Sequence, residues 1–167
     1  ISANGFGTYL ALQLYQATQN EQYLMFAKRI YSWINENLKN PANQIYWNGI
    51  LPEDCSVRKD IWVYNTGIMI LNSLLFYEIT GQVEYLDEAS SVGAASFKEF
   101  TETKNDHKTF INDLPWFKTV LLKAYIELSE VDSAAHEYVD LFAKDIDIAW
   151  ENQRNNYGFI REDWTGS

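Results

Sequence analysis

The sequence has few of the residues on which several large classes of protein depend. Its single cysteine, Cys55, cannot form a disulfide within the chain, so cysteine usage does not decide between an oxidising and a reducing compartment. Only 13 lysines and arginines stand against 23 aspartates and glutamates. The resulting formal net charge of -10 repels a phosphate backbone or an anionic lipid surface, and we expect no nucleic-acid partner.

Long apolar runs, metal-ligand spacings and phosphate-binding loops are also missing. The longest apolar stretch, residues 68–77, is interrupted by polar residues and is much shorter than the roughly 20 residues of a membrane-spanning helix. His107 and His136 lie far apart and have no ligand spacing with Cys55. No glycine-rich phosphate loop or serine nucleophile motif occurs. We therefore expect no membrane span, no metal and no cofactor.

What is present is the apolar content of a globular domain, 47% hydrophobic residues with 16% aromatic residues. The apolar spacing predicts an all-α fold of three helix pairs, and each pair forms an αα-hairpin. The first helix of each pair is apolar on most sides and is expected to be buried, whereas the second has one apolar and one polar face. The predicted pairs are residues 6–18 and 21–39, 67–80 and 83–100, and 116–128 and 133–150.

The first two pairs also repeat in their letters. Tyr15-x-x-Thr18 followed by Tyr23-Leu24 recurs as Tyr77-x-x-Thr80 followed by Tyr85-Leu86, and the third pair keeps only a tyrosine and an apolar residue. The spacing exceeds the roughly 34 to 47 residues of common helical repeats. Alternation of apolar and amphipathic helices favours two concentric layers, and hence part of an (α/α) toroid.

Connection lengths indicate which end of the toroid binds a ligand. The turns from inner to outer helix are short, whereas residues 40–61 and 102–112 form long connections back to the next inner helix, and long loops on a rigid scaffold commonly carry function. Flat aromatic rings beside short polar groups suit a sugar, whose apolar face packs on the ring. The candidate binding residues near this rim are Asn4, Trp62, Tyr64, Asn65 and Trp164.

Each candidate also has a structural interpretation. Asn4 and Asn65 are suited to cap the first and second inner helices, and Asp113 before Pro115 is suited to cap the third. The rim aromatics would then only pack the loops onto the core. The loop acids, including Asp60 and the adjacent pair Glu53-Asp54, fit a solvated acidic surface better than a catalytic pair.

Several short motifs together resemble glycoside hydrolase family 76, which comprises α-1,6-mannanases and related enzymes. They are Ser2-Ala3-Asn4-Gly5, Tyr23-Leu24, Ile30-Tyr31-Ser32-Trp33, Val63-Tyr64-Asn65-Thr66-Gly67 and a tail from Ala149-Trp150-Glu151-Asn152-Gln153-Arg154 to Asp163-Trp164. The resemblance implies an (α/α)6 barrel of six hairpins, of which this chain is the C-terminal half. It also implies a substrate groove lined by Asn4, Tyr64 and Asn65, with Trp62 and Trp164 as further candidates for sugar stacking.

The resemblance implies retaining hydrolysis by two consecutive aspartates in the N-terminal half, and no adjacent Asp-Asp pair occurs in this sequence. We therefore predict no catalytic residue here and an inactive isolated fragment. A second departure is Thr66, where the family usually has glutamine, which leaves the exact substrate open.

We interpret residues 1–167 as a single-domain fragment of a longer glycosidase that acts on α-mannan or a related polysaccharide. Its open edges would pack against an N-terminal half or a second copy. A non-catalytic carbohydrate-binding module, a helical protein-interaction array and another six-hairpin enzyme such as a sugar epimerase are the alternatives. An extracellular location is favoured over the cytoplasm, because polymeric mannan is met outside the cell.

Overall fold

A computed structural model describes residues 1–104 and 106–160 of the chain. Six α-helices lie within these residues and follow one another as three antiparallel pairs. Two antiparallel β-hairpins and a short 3-10 helix (Ser133–Ala135) lie in the connections. The helices are α1 (Ser2–Thr18), α2 (Glu21–Leu38), α3 (Val63–Thr80), α4 (Val83–Glu99), α5 (Pro115–Ser129) and α6 (His136–Asn152). The strands are β1 (Trp47–Ile50), β2 (Val57–Ile61), β3 (Thr101–Lys104) and β4 (His107–Phe110).

The helices form the two layers that the apolar patterning predicts. In the inner layer α3 packs between α1 and α5, while α2, α4 and α6 each pack on the inner helix that precedes them. Glycine sets the α3–α5 spacing, because a Cβ atom at Gly67 would lie 2.9 Å from the Leu121 Cα. The prediction of three αα-hairpins in an all-α domain is confirmed.

Burial is greatest in the middle inner helix and falls towards the two edge helices. In α3, 13 of the 18 residues are buried, so the prediction of a helix surrounded by protein is confirmed there. The same prediction for α1 is wrong for this chain, because Phe6 and Leu10 are 40% and 56% exposed. The reason is position in the layer, since α1 has an inner-layer neighbour on one side and α3 on both.

Two helices begin earlier than predicted, and the proposed capping roles of Asn4 and Asn65 are wrong. Helix α1 begins at Ser2 and α3 at Val63, which puts both asparagines in the first turn rather than at the N-cap. The Asn65 N–H already donates to the Trp62 carbonyl oxygen at 3.1 Å. Trp62 is the N-cap residue of α3 and makes no side-chain capping bond.

The third inner helix begins as its proline predicts. Pro115 is the first residue of α5, where its fixed φ suits a helix start. Leu114, and not Asp113, is the N-cap residue, so the capping role predicted for Asp113 is wrong. The Asp113 Oδ2 instead accepts from the Val63 N–H at 3.4 Å, and this bond links the start of α5 to the start of α3.

The two long connections contain β-hairpins where the sequence suggested loops alone. Trp47 pairs with Ile61 in the first hairpin, and Thr101 pairs with Phe110 in the second. Both hairpins follow an outer helix and precede an inner one, so they lie at the end of the layers where α3 and α5 begin. We call this end the rim. The short turns at the opposite end are confirmed, and Gly81 closes α3 with a φ of 68°.

Across residues 1–104 and 106–160, no helix combines the length and the apolar character that crossing a membrane requires.

Candidate functional site

Four aromatic side chains form one cluster at the rim, where α3 and α5 begin. The Tyr64 and Trp116 rings are nearly parallel at 19°, with centroids 6.1 Å apart, and the Phe117 centroid lies 4.3 Å from that of Tyr64. The Trp62 ring meets Phe117 edge-on at 5.6 Å. Trp116 is 61% exposed and Trp62 is 37% exposed. The cluster, Trp62, Tyr64, Trp116 and Phe117, therefore presents flat apolar rings to solvent and is backed by protein.

A chain of polar side chains runs beside this cluster from the first hairpin into α3. The Asp60 Oδ2 accepts from the Trp62 Nε1 at 3.0 Å and from the Asn48 Nδ2 at 2.6 Å. The Asn48 Oδ1 accepts from the Asn65 Nδ2 at 3.4 Å, and the Arg58 Nε lies 3.3 Å from the Asp60 Oδ1. These contacts hold the Trp62 indole in one orientation at the edge of the cluster.

The same contacts determine the charge of Asp60. Partial burial by itself would raise the pKa of its carboxyl, but the hydrogen bonds from Trp62 and Asn48 and the positive charge of Arg58 outweigh it. Together they hold the pKa of Asp60 below its usual value. Asp60 is therefore ionised at neutral pH and suits a hydrogen-bond acceptor, whereas a general acid needs a raised pKa.

The first turn of α3 also contains two buried oxygen atoms that lack donors. Asn65 and Thr66 are fully buried, and neither the Asn65 Oδ1 nor the Thr66 Oγ1 has a hydrogen-bond partner within the described part of the chain. Each such atom costs roughly 1–3 kcal/mol of stability. Native proteins contain few such atoms, and contact with a ligand is one explanation for them.

The structure brings three of the five predicted site residues together and separates a fourth. Trp62, Tyr64 and Asn65 share the rim, as described. Asn4 instead lines a separate hollow of about 350 Å³ with Arg29, Ile30 and Trp33 of α2. The separation follows from helix geometry, because Asn4 lies five residues before Tyr9, about 140° around the axis, and Tyr9 faces the cavity between the inner helices.

Trp164, the fifth predicted residue, lies outside the described residues. Phe117 was not singled out from the sequence, although it contacts the other three rings of the cluster. The signal for it was available, because Pro115 fixes the start of α5 and so places Trp116 and Phe117 in the first turn beside α3.

A second polar space lies between the inner helices near their C-terminal ends, away from the rim. This cavity of about 550 Å³ is lined by residues that include Gln16, Glu78 and Glu127. The Lys123 Nζ donates to the Tyr9 hydroxyl at 3.2 Å, which connects α5 to α1 on the inner side of α3. Burial is the main cause of a raised pKa at Glu127, and the nearby Lys123 opposes it.

Within the described ranges, no group of three or more histidine, cysteine, aspartate or glutamate side chains is arranged to hold a metal ion.

Solved structures of known proteins share this arrangement of helices. The family 76 mannosidase Bt3792 from Bacteroides thetaiotaomicron superposes with a TM-score of 0.85 at 22% identity, over 98% of this chain and 47% of that chain. The α-1,6-mannanase from Salegentibacter sp. HEL1_6 superposes with a TM-score of 0.82 at 25% identity, over 96% of this chain and 50% of that chain. An inactive variant of the latter, altered at two consecutive aspartates, is in complex with α-1,6-mannotetrose.

Sequence comparison points to the same group of proteins. The mannan endo-1,6-α-mannosidase of Candida glabrata is 29% identical over 83 residues, which cover 47% of this chain and 19% of that protein. The chain therefore spans about half the length of the solved relatives and less of the curated one. The model of glycosyl hydrolase family 76 matches residues 2–167. Because that match covers nearly the whole chain, the protein belongs to glycosyl hydrolase family 76.

Proposed function

We propose that this chain supplies one wall of the substrate cleft of a glycosidase that hydrolyses α-1,6-linked mannan. The observation that carries the proposal is the exposed aromatic cluster beside an ionised, hydrogen-bonded carboxylate at the rim. Sugars need both features, since their C–H faces pack on aromatic rings and their hydroxyls take directed hydrogen bonds. Relatives of this chain are named as α-1,6-mannanases, which supports the choice of mannan.

The roles of the rim residues follow from their exposure and contacts. Trp116 presents the more exposed ring and is backed by Tyr64 in a near-parallel stack, so it suits the apolar face of a mannose unit. Trp62 offers a second ring, which Asp60 holds in place. Asp60 and Asn48 then lie beside the rings as acceptor and amide for sugar hydroxyls. Asn65 supports this row through its bond to Asn48.

Catalysis requires residues that this chain does not contain. No two aspartates are adjacent in the sequence, whereas substitution of two consecutive aspartates accompanies inactivity in the Salegentibacter relative. Retaining hydrolysis needs two carboxyl groups about 5 Å apart, one of them able to donate a proton. The low pKa of Asp60 makes it unsuited to that donor role. We infer that the catalytic pair comes from a part of the protein outside these residues.

The edges of the inner layer support the same division of the protein. Phe6 and Leu10 on α1 and Ile126 on α5 are exposed apolar side chains on the two outermost inner helices. Soluble proteins rarely leave large apolar surfaces uncovered. We infer that residues 1–167 are one piece of an (α/α)6 barrel, packed against a preceding half or, failing that, against a second copy. Light scattering that finds residues 1–167 as a stable, compact monomer would contradict this inference.

The binding role is tested by titrating the protein, as its gene encodes it, with α-1,6-mannotetraose. We expect Trp116→Ala to weaken binding about tenfold, which corresponds to about 1.4 kcal/mol. Phe26→Ala is the matched control, because Phe26 is an exposed ring in the second turn of α2, at the end of that helix away from the rim. Equal losses in the two variants, or none in Trp116→Ala, would refute the proposed cleft.

A non-catalytic carbohydrate-binding module is the second candidate, and the lack of an adjacent aspartate pair favours it. Incubation of the same gene product with linear α-1,6-mannan distinguishes the two functions. Release of shorter mannosides supports the glycosidase, and binding without cleavage supports the module. Neither binding nor cleavage would favour a helical array for protein interactions.

A further inference from the structure

The first β-hairpin separates the rim cluster from a second hollow on the outer side of the domain. This outer hollow has a volume of about 600 Å³ and lies between the C-terminal part of α2 and strand β1. Five polar side chains, one proline and one indole line it. They are Asn35, Glu36, Asn37, Lys39, Gln44, Pro41 and Trp47.

Neighbouring residues of the first hairpin contribute to two sites. Asn48 and Asp60 bond to each other beside the rim cluster, where a bulge between Trp47 and Gly49 interrupts the regular pairing of the strands. Trp47, the residue before Asn48, lines the outer hollow instead. The Lys59 Nζ lies 5.2 Å from the centre of the Trp47 ring, so these two side chains lie together. Trp47 is thus an aromatic wall of the outer hollow, separate from the rim cluster.

Partly buried hydrogen bonds hold the wall formed by α2 in place. The Asn35 Nδ2 donates to the Tyr31 carbonyl oxygen at 3.1 Å, and the Tyr46 hydroxyl donates to the Asn35 Oδ1 at 2.5 Å. The Lys39 Nζ bonds both carboxylate oxygens of Glu88, at 2.6 and 2.8 Å. A ligand would therefore meet a preformed surface, which lowers the entropy that binding must overcome.

Two side-chain amides in the outer hollow each have one atom in a hydrogen bond with the protein and one atom that can bind a ligand. The Asn37 Nδ2 donates to the Trp33 carbonyl oxygen at 2.8 Å, and the Gln44 Oε1 accepts from the Ser91 hydroxyl at 2.6 Å. In the described part of the chain, this leaves the Asn37 amide oxygen as an acceptor and the Gln44 amide nitrogen as a donor. A donor and an acceptor beside one indole match a sugar ring.

The charges in the outer hollow favour a neutral ligand. Glu88 neutralises Lys39 at its edge, so Glu36 is the remaining charge among the lining residues. The net charge of -10 on the chain also disfavours an anionic polymer. We propose that the outer hollow is a second saccharide-binding site, which holds a stretch of the neutral polysaccharide outside the cleft. The identity of that polysaccharide rests on the proposed function.

A second site of this kind raises the affinity for polymers and does not change the affinity for short substrates. A chain long enough to reach both sites binds the second one at a high effective concentration, which raises overall affinity without any new contact in the cleft. A tetrasaccharide held in the cleft gains nothing from the outer hollow. The proposal therefore predicts a selective loss of polymer binding when Trp47 is removed.

The test measures the protein against linear α-1,6-mannan and against α-1,6-mannotetraose, by affinity electrophoresis and titration respectively. We expect Trp47→Ala to lower affinity for the polymer about 5- to 10-fold and to leave the affinity for the tetrasaccharide unchanged. Trp47→Phe, which keeps an aromatic ring, should retain most of the polymer affinity. Asn37→Ala, at an exposed position of α2, provides the test if Trp47→Ala does not fold.

The outcomes separate this proposal from the proposed function. Full polymer affinity in a folded Trp47→Ala or Asn37→Ala variant overturns the outer hollow, even where Trp116→Ala weakens tetrasaccharide binding. Loss of polymer affinity in Trp47→Ala together with no effect of Trp116→Ala supports the outer hollow and overturns the cleft. Equal losses for polymer and tetrasaccharide in Trp47→Ala overturn the idea of two separate sites.

Discussion

The spacing between α3 and α5 depends on a single missing methyl group, and replacing Gly67 by alanine tests this. A Cβ at that position would lie 2.9 Å from both the Cα and the N of Leu121 and 3.0 Å from the carbonyl carbon of Val120. Comfortable contacts between such atoms are about 3.5–4.0 Å. All three are backbone atoms, so no side-chain rotation relieves the clash. The two helices must separate by a few tenths of an ångström or more.

The magnitude follows from two opposing effects. Overpacking of this kind costs roughly 1–3 kcal/mol, while alanine gains up to about 1 kcal/mol over glycine in a helix interior. Because backbone meets backbone here, we expect a net loss of about 1–2 kcal/mol in the free energy of unfolding. For a chain of this length the loss lowers Tm by roughly 2–8 °C. The separation of the helices also changes the rim, because Tyr64 lies on α3 and Trp116 lies on α5.

Thermal and urea unfolding of Gly67→Ala measure the loss, and the near-ultraviolet circular dichroism of the aromatic cluster reports the separation. Gly7→Ala is the control, because a Cβ there meets no described atom within 4 Å. We expect that substitution to raise stability by about 0.5–1 kcal/mol. A Gly67→Ala protein as stable as the wild type, with an unchanged aromatic spectrum, would show that the close approach of α3 and α5 does not constrain this position.

Two buried hydrogen-bonded groups and one ionised carboxylate are tested by single substitutions. Asp145→Ala removes the acceptor of the buried Phe110 N–H, a bond of 2.8 Å, and should cost roughly 1–3 kcal/mol in urea unfolding; a loss below 1 kcal/mol would contradict it. The folded-state pKa of Asp60 is lowered, so its contribution to stability is present above the unfolded pKa of about 3.9 and is lost as pH falls through the folded value. The Tm difference between wild type and Asp60→Asn should therefore shrink below about pH 4, and a constant difference would refute the role of its charge. Ser73→Ala leaves the buried Tyr31 hydroxyl without its 2.7 Å partner and should cost about 1–3 kcal/mol, whereas an unchanged Tm would show that another group replaces it.

The order of the helices was predictable because it depends on local sequence patterns. Apolar spacing gave all six helices, and Gly81 and Pro115 fixed one end each of α3 and α5. The starts of α1 and α3 were predicted too late, because asparagine is accepted both at the N-cap position and in the first turn of a helix. Asn4 and Asn65 suggested caps, whereas the backbone was already helical two residues earlier. Only tertiary packing decides between these alternatives.

The rim was predictable in composition but not in geometry. Chain order placed Trp62 and Tyr64 at the start of an inner helix, and the structure brings them against Phe117. The hairpins in the long connections went unrecognised because their strands are only four or five residues long and rich in charged side chains. The direction of Asn4 depends on the rotation of α1 about its own axis, which contacts with α2 and α3 determine.

The near-complete burial of α3 has a consequence for how the chain opens. Its neighbours α1 and α5 meet on its inner side through the Tyr9–Lys123 bond, and α4 covers its outer side. Backbone amides in the middle of α3 can therefore reach solvent only when the neighbouring helices detach. Deuterium should label the amides from Ile68 to Phe76 last, at a rate set by global unfolding, while the edges of α1 exchange through local fluctuations.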